Sequence, residues 1–346
     1  MNEIIDYLDE HADLIIWDPE DSQTFGTRVN KIGLQPLLSL IQSNMWGIKK
    51  LKGMGKGEII IMNSYLRHRF LFFAIYAKYI KRCQLIIFVN AVYHYSLGSA
   101  FLNWLDRFIT SLLLKSAVLI IANSNSTKEE LLTLGVKANT IQVIYPRLDM
   151  PPMDESRVEK GRDTFNILFV GYCEPFKELH VLIKAVGKLK EIPLCLHIIG
   201  DTQCDSEYVT KLKKLIADLG ITDKVVFHGR MGRKELAVWF MKTGLFVSPS
   251  RGEGYGRALA EAMYFGLPVI GADKGASKEL IEHGVNGFLF KSGNDESLAS
   301  FISILYADEG LRKRFGREGK ELINKKANYD RNLGEQFYAI YSIYVS

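Results

Sequence analysis

Cysteine is scarce in this chain, and its four residues, at 83, 173, 195 and 204, stand apart from one another. They show neither the paired spacing of a zinc site nor the density of a secreted disulfide scaffold, so they read as reduced cytosolic thiols. The opening Met-Asn-Glu-Ile-Ile-Asp lacks a basic segment followed by an apolar one, and no secretory signal is expected. The longest apolar region, Phe101 to Ala122, contains Asp106, Arg107 and Lys115, each costly at a bilayer centre, which argues against a membrane span. An excess of one charge is also lacking. With 44 basic and 39 acidic side chains the net charge is +5, without the basic stripe of a nucleic-acid binder, so no nucleic-acid partner is expected. Anionic small ligands or an anionic membrane surface fit that balance. There is no internal repeat and no compositionally biased segment. The expectation is a soluble or peripheral cytoplasmic protein.

The 346 residues, 47% of them apolar, suffice for two cores of ordinary domain size. From residue 165 onward, short β-branched and aromatic runs alternate with amphipathic segments, as a parallel sheet wrapped by helices requires. The predicted strands there are Asn166 to Val170, Leu194 to Ile199, Lys224 to Phe227, Leu245 to Ser248, Pro268 to Ile270 and Gly287 to Phe290. Helices are predicted over Glu178 to Lys190 and Ser206 to Leu219, with Gly220 as a stop. Such a doubly wound domain binds ligands at the carboxyl ends of its strands. In the first half, strands are predicted at Leu14 to Trp17, Glu58 to Met62, Gln84 to Val89, Val118 to Ala122 and Thr140 to Ile144. The polar, proline-led stretch Pro151 to Asp163 suits a linker. We therefore expect a first domain over residues 1–150, a linker over 151–164 and a second domain over 165–328.

The most informative stretch runs from Ser248 to Ile270: Ser-Pro-Ser-Arg-Gly-Glu-Gly-Tyr-Gly-Arg-Ala-Leu-Ala-Glu-Ala-Met-Tyr-Phe-Gly-Leu-Pro-Val-Ile. It reads as strand, glycine-rich loop, short helix from about Arg257 to Phe265, and strand, with Gly266 and Pro268 closing the helix. Gly254 and Gly256 let the backbone approach a ligand, and the amides opening the helix can hold phosphate oxygens. Glu253 and Glu261 can accept hydrogen bonds from vicinal hydroxyls of the kind that sugars and ribose present. Singly, such features are turns and solvated surface; their combination is what points to a site.

This stretch resembles the Glu-x7-Glu signature of the family-4 (GT4) retaining glycosyltransferases. Glu253 and Glu261 have the spacing, Gly254-Tyr255-Gly256 stands where that family usually has Gly-Phe-Gly, and Ala262, Met263, Gly266, Pro268 and Val269 continue the match. The resemblance implies the α/β GT-B fold, two Rossmann-like doubly wound domains facing a central cleft. It implies that Glu253 contacts the donor sugar and Glu261 the ribose, with the amides around Gly256, Arg257 and Ala258 on the diphosphate. Phe169 to Lys177 resembles the family's strand, Gly-Arg turn and following lysine, so Gly171 and Lys177 join the donor site, with Gly200 in the next strand-end turn. Tyr172 stands where the family commonly has arginine, and Arg230 or Arg251 is a candidate substitute. Glu279-Leu-Ile followed by Gly284-Val-Asn-Gly-Phe288 is similar to a further family segment, which otherwise reads as a turn and the next strand. The segment over residues 329–346 resembles the C-terminal helix that GT-B chains pack back onto the first domain.

The first domain carries less. Val118 to Leu131 and Val143 to Asp149 resemble the family's route out of the acceptor domain. Where the family often has a histidine after the Gln84 to Val89 strand, Asn90 is nearest and His94 follows, making His94 the catalytic candidate beside Glu253 and Lys177. The usual glycine-rich turn is represented only by Phe25-Gly26-Thr27. No Asp-x-Asp sequence occurs, so no metal site is expected, and positive charge must come from Lys177, arginine and helix amides. The resemblance suggests transfer with retention, without a cofactor, from a UDP- or GDP-linked hexose to a glycan or lipid-linked acceptor. Leu66 to Arg82 mixes aromatic and basic side chains and offers a helix for an anionic bilayer, or else a helix packed on the sheet. Two other functions fit the residues: a non-catalytic nucleotide-sugar-binding subunit, which Tyr172 motivates, and a nucleotide-sugar epimerase or sugar phosphorylase on the same fold.

Overall fold

A computed structural model of the chain describes residues 15–17, 59–63, 74–90, 100–146, 148, 151, 164–203 and 205–326. The chain divides into two compact units, Met1–Pro146 with Asp330–Ser346, and Arg147–Tyr329. The expected linker, apart from Pro151 and Thr164, and the C-terminal helix lie outside the described residues.

In the first unit five parallel strands stand side by side in chain order: β1 (Ile15–Trp17), β2 (Ile59–Asn63), β3 (Gln84–Val89), β4 (Leu119–Ala122) and β5 (Ile141–Val143). Leu85, Ile86 and Ile87 of β3 and all of β4 are buried, as strands covered on both faces must be. Two helices are described in full, α1 (Ala100–Lys115) and α2 (Asn125–Thr133). The long apolar region is therefore two elements: α1 ends at Lys115, the Ser116 hydroxyl turns back onto the Leu113 carbonyl, and β4 begins at Leu119. Ser124 caps α2 by accepting from the Thr127 amide at 3.0 Å.

The second unit contains β6 (Phe165–Val170), β7 (Leu194–Ile199), β8 (Val225–Gly229), β9 (Leu245–Ser248), β10 (Val269–Ala272) and β11 (Phe288–Phe290). Its helices are α3 (Leu179–Lys188), α4 (Ser206–Asp218), α5 (Arg233–Lys242), α6 (Arg257–Tyr264), α7 (Ala276–Leu280), α8 (Asp295–Ala307) and α9 (Glu309–Lys326). Strands lie in the order β8-β7-β6-β9-β10-β11, all parallel. Counted from β6 this is 3-2-1-4-5-6, the doubly wound order, whose direction reverses between β6 and β9. In a sheet of this order ligands bind in the crevice at the carboxyl ends of the two strands where the direction reverses, and the loops leaving β6 and β9 lie there.

The core beneath is apolar and shared. Ile167, Phe169, Leu196, Ile198 and Val247 from the sheet meet Leu182 and Val186 of α3 and Leu212 of α4. One expected helix starts differently. In place of a helix from Glu178, Pro175–Lys177 forms a 3-10 turn, Glu178 takes a left-handed conformation, and α3 begins at Leu179. Proline at the start of the turn favours it, and long-range partners of Glu178, described below, set the second step.

Candidate active site

The loops leaving β6 and β9 carry the residues that the motif singles out. After β6 the chain passes Gly171 and the half-exposed Tyr172, then turns through Pro175–Lys177. After β9 it passes Ser250, Arg251 and Gly252 to Glu253, and α6 starts at Arg257. The two loops are tied across the crevice. The Lys177 ammonium donates to the Glu253 carboxylate, Nζ to Oε1 2.5 Å, with the two side chains only 12% and 22% exposed. The Arg251 amide donates to the Phe176 carbonyl at 2.9 Å.

Backbone geometry prepares the floor. A Cβ on Gly200, in the turn after β7, would lie 1.8 Å from the Gly171 carbonyl oxygen, so only glycine permits the two turns to stack. Gly256 precedes α6 in a left-handed conformation, φ 69° and ψ 53°, and no side chain caps the first turn. Glycine at the N-cap has no side chain to offer the first-turn amides, and the helix dipole favours an anion there. The Glu253 carbonyl in turn accepts from the Ala276 amide at 3.0 Å, which fixes the loop before α6 against α7.

Within α6, Glu261 is buried and accepts from Arg257, Nε to Oε1 2.9 Å, one turn away. Burial raises its pKa, and the Arg257 hydrogen bond and charge partly offset that. Tyr255 points its side chain inward, 5% exposed, where burial pushes its hydroxyl well above the ordinary range. Taken together, the two loops and α6 offer a lysine, two carboxylates and a helix start with glycine at its N-cap. That set can bind a diphosphate joined to a polyhydroxyl group.

The family model described as glycosyl transferases group 1 matches residues 153–322, and that described as Glycosyltransferase Family 4 matches residues 25–150. The chain belongs to the family-4 glycosyltransferases. It is similar to the D-inositol 3-phosphate glycosyltransferase of Pseudarthrobacter chlorophenolicus, 31% identical over 213 residues, which are 58% of this chain and 50% of that protein. The chain spans about half the length of the curated relatives it matches. A solved glycosyltransferase from Rickettsia africae matches with a TM-score of 0.75 at 19% identity, covering 99% of this chain and 93% of that one. The Anabaena protein Alr3699/HepE, solved in complex with UDP, matches with a TM-score of 0.70 at 23% identity, covering 90% and 85%. These structures share the GT-B fold.

In this family-4 chain the two candidate substitutes for arginine at Tyr172 differ. Arg230, just after β8, is 71% exposed and lies 3.8 Å from Asp201. Arg251 is bound to Glu178 through Nε at 3.0 Å and Nη2 at 2.9 Å, beside the Lys177 turn. His94 and the Phe25-Gly26-Thr27 turn lie outside the described residues. Asn90 is tied by its carbonyl to the Asn123 amide group at 2.6 Å. Asn286 in the Gly284 to Phe288 segment is buried and bridges the Glu282 amide and the Leu280 carbonyl, which makes that segment a turn leading into β11. His197 and His228 are half-buried and bonded to each other. His197 donates from Nε2 to the Asn166 side-chain oxygen at 3.0 Å and accepts at Nδ1 from His228 Nε2 at 3.0 Å, with Trp239 over both rings. Sequence reasoning passed over Glu178 and Ser292. The only hint was two adjacent residues of opposite charge at the helix start, which looks like solvated surface.

Proposed function

We propose that the chain is a retaining glycosyltransferase that moves a hexose from a UDP- or GDP-linked donor to a hydroxyl of a glycan or lipid-linked acceptor, without a metal. The observation that carries this reading is the Lys177–Glu253 pair spanning the crevice where the sheet order reverses. Before donor arrives, Lys177 is neutralised by Glu253. Diphosphate oxygens then replace the carboxylate on the ammonium and settle on the α6 amides, which frees Glu253 for hydroxyls of the sugar. Glu261, oriented by Arg257, takes the ribose hydroxyls. As the bond from the anomeric carbon to the diphosphate breaks, Lys177 and the helix start stabilise the charge that develops, and an acceptor hydroxyl attacks from the same face. The UDP-glucose complex of Alr3699/HepE supports a UDP-linked donor, and the name of the Pseudarthrobacter relative supports a polyhydroxyl acceptor.

Peripheral attachment to an anionic bilayer on the cytoplasmic side is part of this reading. Of the Leu66 to Arg82 stretch, residues 66–73 lie outside the described residues; in the remainder Ala74 and Ala77 are buried in the core of the first unit, while Tyr79 and Ile80 are exposed. The stronger support is α1. Phe101, Trp104 and Phe108 are exposed along one face with rings stacked at 6.1 and 5.6 Å, and Arg107 and Lys115 are exposed on the same helix. Aromatic rings beside basic groups suit the headgroup level of a membrane. Among the described residues no helix is long and apolar enough to cross one.

A thermal-shift screen tests the donor site, using UDP, GDP, ADP and their sugar conjugates, with and without magnesium, on the wild type, Lys177→Ala and Glu261→Ala. The expected result is stabilisation by one nucleotide family, independent of metal and reduced in both variants. Failure of every nucleotide to stabilise the wild type would favour a non-catalytic partner, with Tyr172 as its reason.

A further inference from the structure

Glu178 occupies a backbone position that an acidic residue does not favour. Its φ of 49° and ψ of 33° are left-handed, a conformation in which a Cβ is crowded and glycine is not. Its side chain makes no capping bond to α3. It is nevertheless 4% exposed, and a buried carboxylate persists only where donors satisfy it.

Three donors do so. Arg251 gives Nε and Nη2 to Oε1, and the Ser292 hydroxyl gives to Oε2 at 2.9 Å. Arg251 lies on the loop after β9 and Ser292 just after β11, where the Ser292 amide is held by Asp273 at 3.0 Å. Glu178 therefore joins the loop after β6 to the loops after two other strands. The neighbouring residue, Lys177, reaches Glu253 from the same turn. Relaxing residue 178 to right-handed geometry would rotate the intervening peptide and carry the lysine with it.

We propose that Glu178 is a positioning residue of the donor site. It locks the turn in its left-handed conformation and, through Arg251 and Ser292, holds Lys177 at its place opposite Glu253. This rests on the donor-site reading above. Glu178 acts through Lys177 and does not itself meet the donor.

The test uses the full chain with Glu178→Gly, which suits the backbone but removes the carboxylate, and Glu178→Gln, whose amide oxygen still accepts from Arg251. Amide exchange of the protein alone reads the tie between the loops, and calorimetric titration with UDP, GDP and ADP reads the site. In Glu178→Gly the Arg251 amide should exchange about tenfold faster. Affinity for the nucleotide that the wild type binds should fall about tenfold, as expected when a phosphate ligand is misplaced by a fraction of an ångström to an ångström. Glu178→Gln should recover most of that loss. Ser292→Ala should shift both readouts in the same direction by less, and serves if Glu178→Gly does not fold. A melting temperature that changes without any change in affinity would reduce Glu178 to a structural tie and overturn the proposal. So would unaltered Arg251 exchange in a protein that binds nucleotide normally. If the wild type binds no nucleotide while Arg251 exchange still responds, the donor-site reading fails and the proposal falls with it.

Discussion

Helices α1 and α3 are both rich in large apolar residues, yet they serve their units in opposite ways. In α3, six of 10 residues are buried against the sheet. In α1, which has 16 residues, Leu113 and Leu114 near the C-terminal end are buried, while Phe101, Trp104, Phe108 and Leu112 are exposed. Apolar content therefore has two uses, cohesion of the second unit and an outward face on the first. The second unit can spend its loops on charge because its core is complete beneath them.

Five substitutions break or sharpen that contrast. Lys177→Ala removes the lysine that donates to Glu253, and we expect kcat/KM to fall by about 10²- to 10³-fold in a transferase assay with the donor chosen by the screen. Leu182→Ala in α3 should cost about 3 kcal/mol in urea unfolding, since the side chain is fully enclosed. Phe108→Ala in α1 should cost less than about 0.5 kcal/mol in the same assay while reducing flotation with anionic liposomes. Equal destabilisation by Leu182→Ala and Phe108→Ala would show that the α1 face is packed and would remove the membrane reading.

The fourth change concerns acid. Burial, with the charges of His228 and Lys242, lowers the His197 pKa to about 4 from the ordinary 6.5. His228 is lowered too, by burial and then by Lys242. Asn166 and Trp239 complete the surroundings. The unfolded chain takes up a proton near 6.5 while the folded one resists it, so stability is undiminished above that pH and declines as pH falls toward 4. His197→Gln should flatten the decline, read as melting temperature across the interval. A smaller effect than that of Leu182→Ala is expected from Asp205→Ala, which removes the acceptor for the Tyr208 amide at the start of α4 and should cost about 1 kcal/mol.

Strands were legible because local chemistry decides them. The limits of β7 and β9 agree with the expectation to the residue, since β-branched and aromatic runs are bounded there by Pro193, Gly200, Gly244 and Pro249. Helix stops with a local cause were also readable, as at Gly220, whose φ is +65°. The start of α3 was not. Its left-handed step depends on Arg251 and Ser292, 73 and 114 residues further along, and no window of sequence contains both sides of those contacts. The site shows the same division. Glu253 and Glu261 were visible through their spacing, whereas the pairing of Lys177 with Glu253 becomes visible only when β6 and β9 are neighbours. The use of α1 was illegible for another reason: an apolar helix reads alike whether it faces a core or the outside.

Three ion pairs line the candidate site, Lys177 with Glu253, Arg251 with Glu178, and Arg257 with Glu261, the last carboxylate also feeling the charge of Arg233. Seen from a Debye length away, about 8 Å at physiological salt, these pairs largely cancel and cast little field. Donor capture should therefore owe little to long-range steering, and its association rate should vary only weakly with ionic strength. On the proposed reading such a site should also discriminate against bare phosphate, which can compete for the ammonium but brings no sugar to engage the carboxylate it displaces.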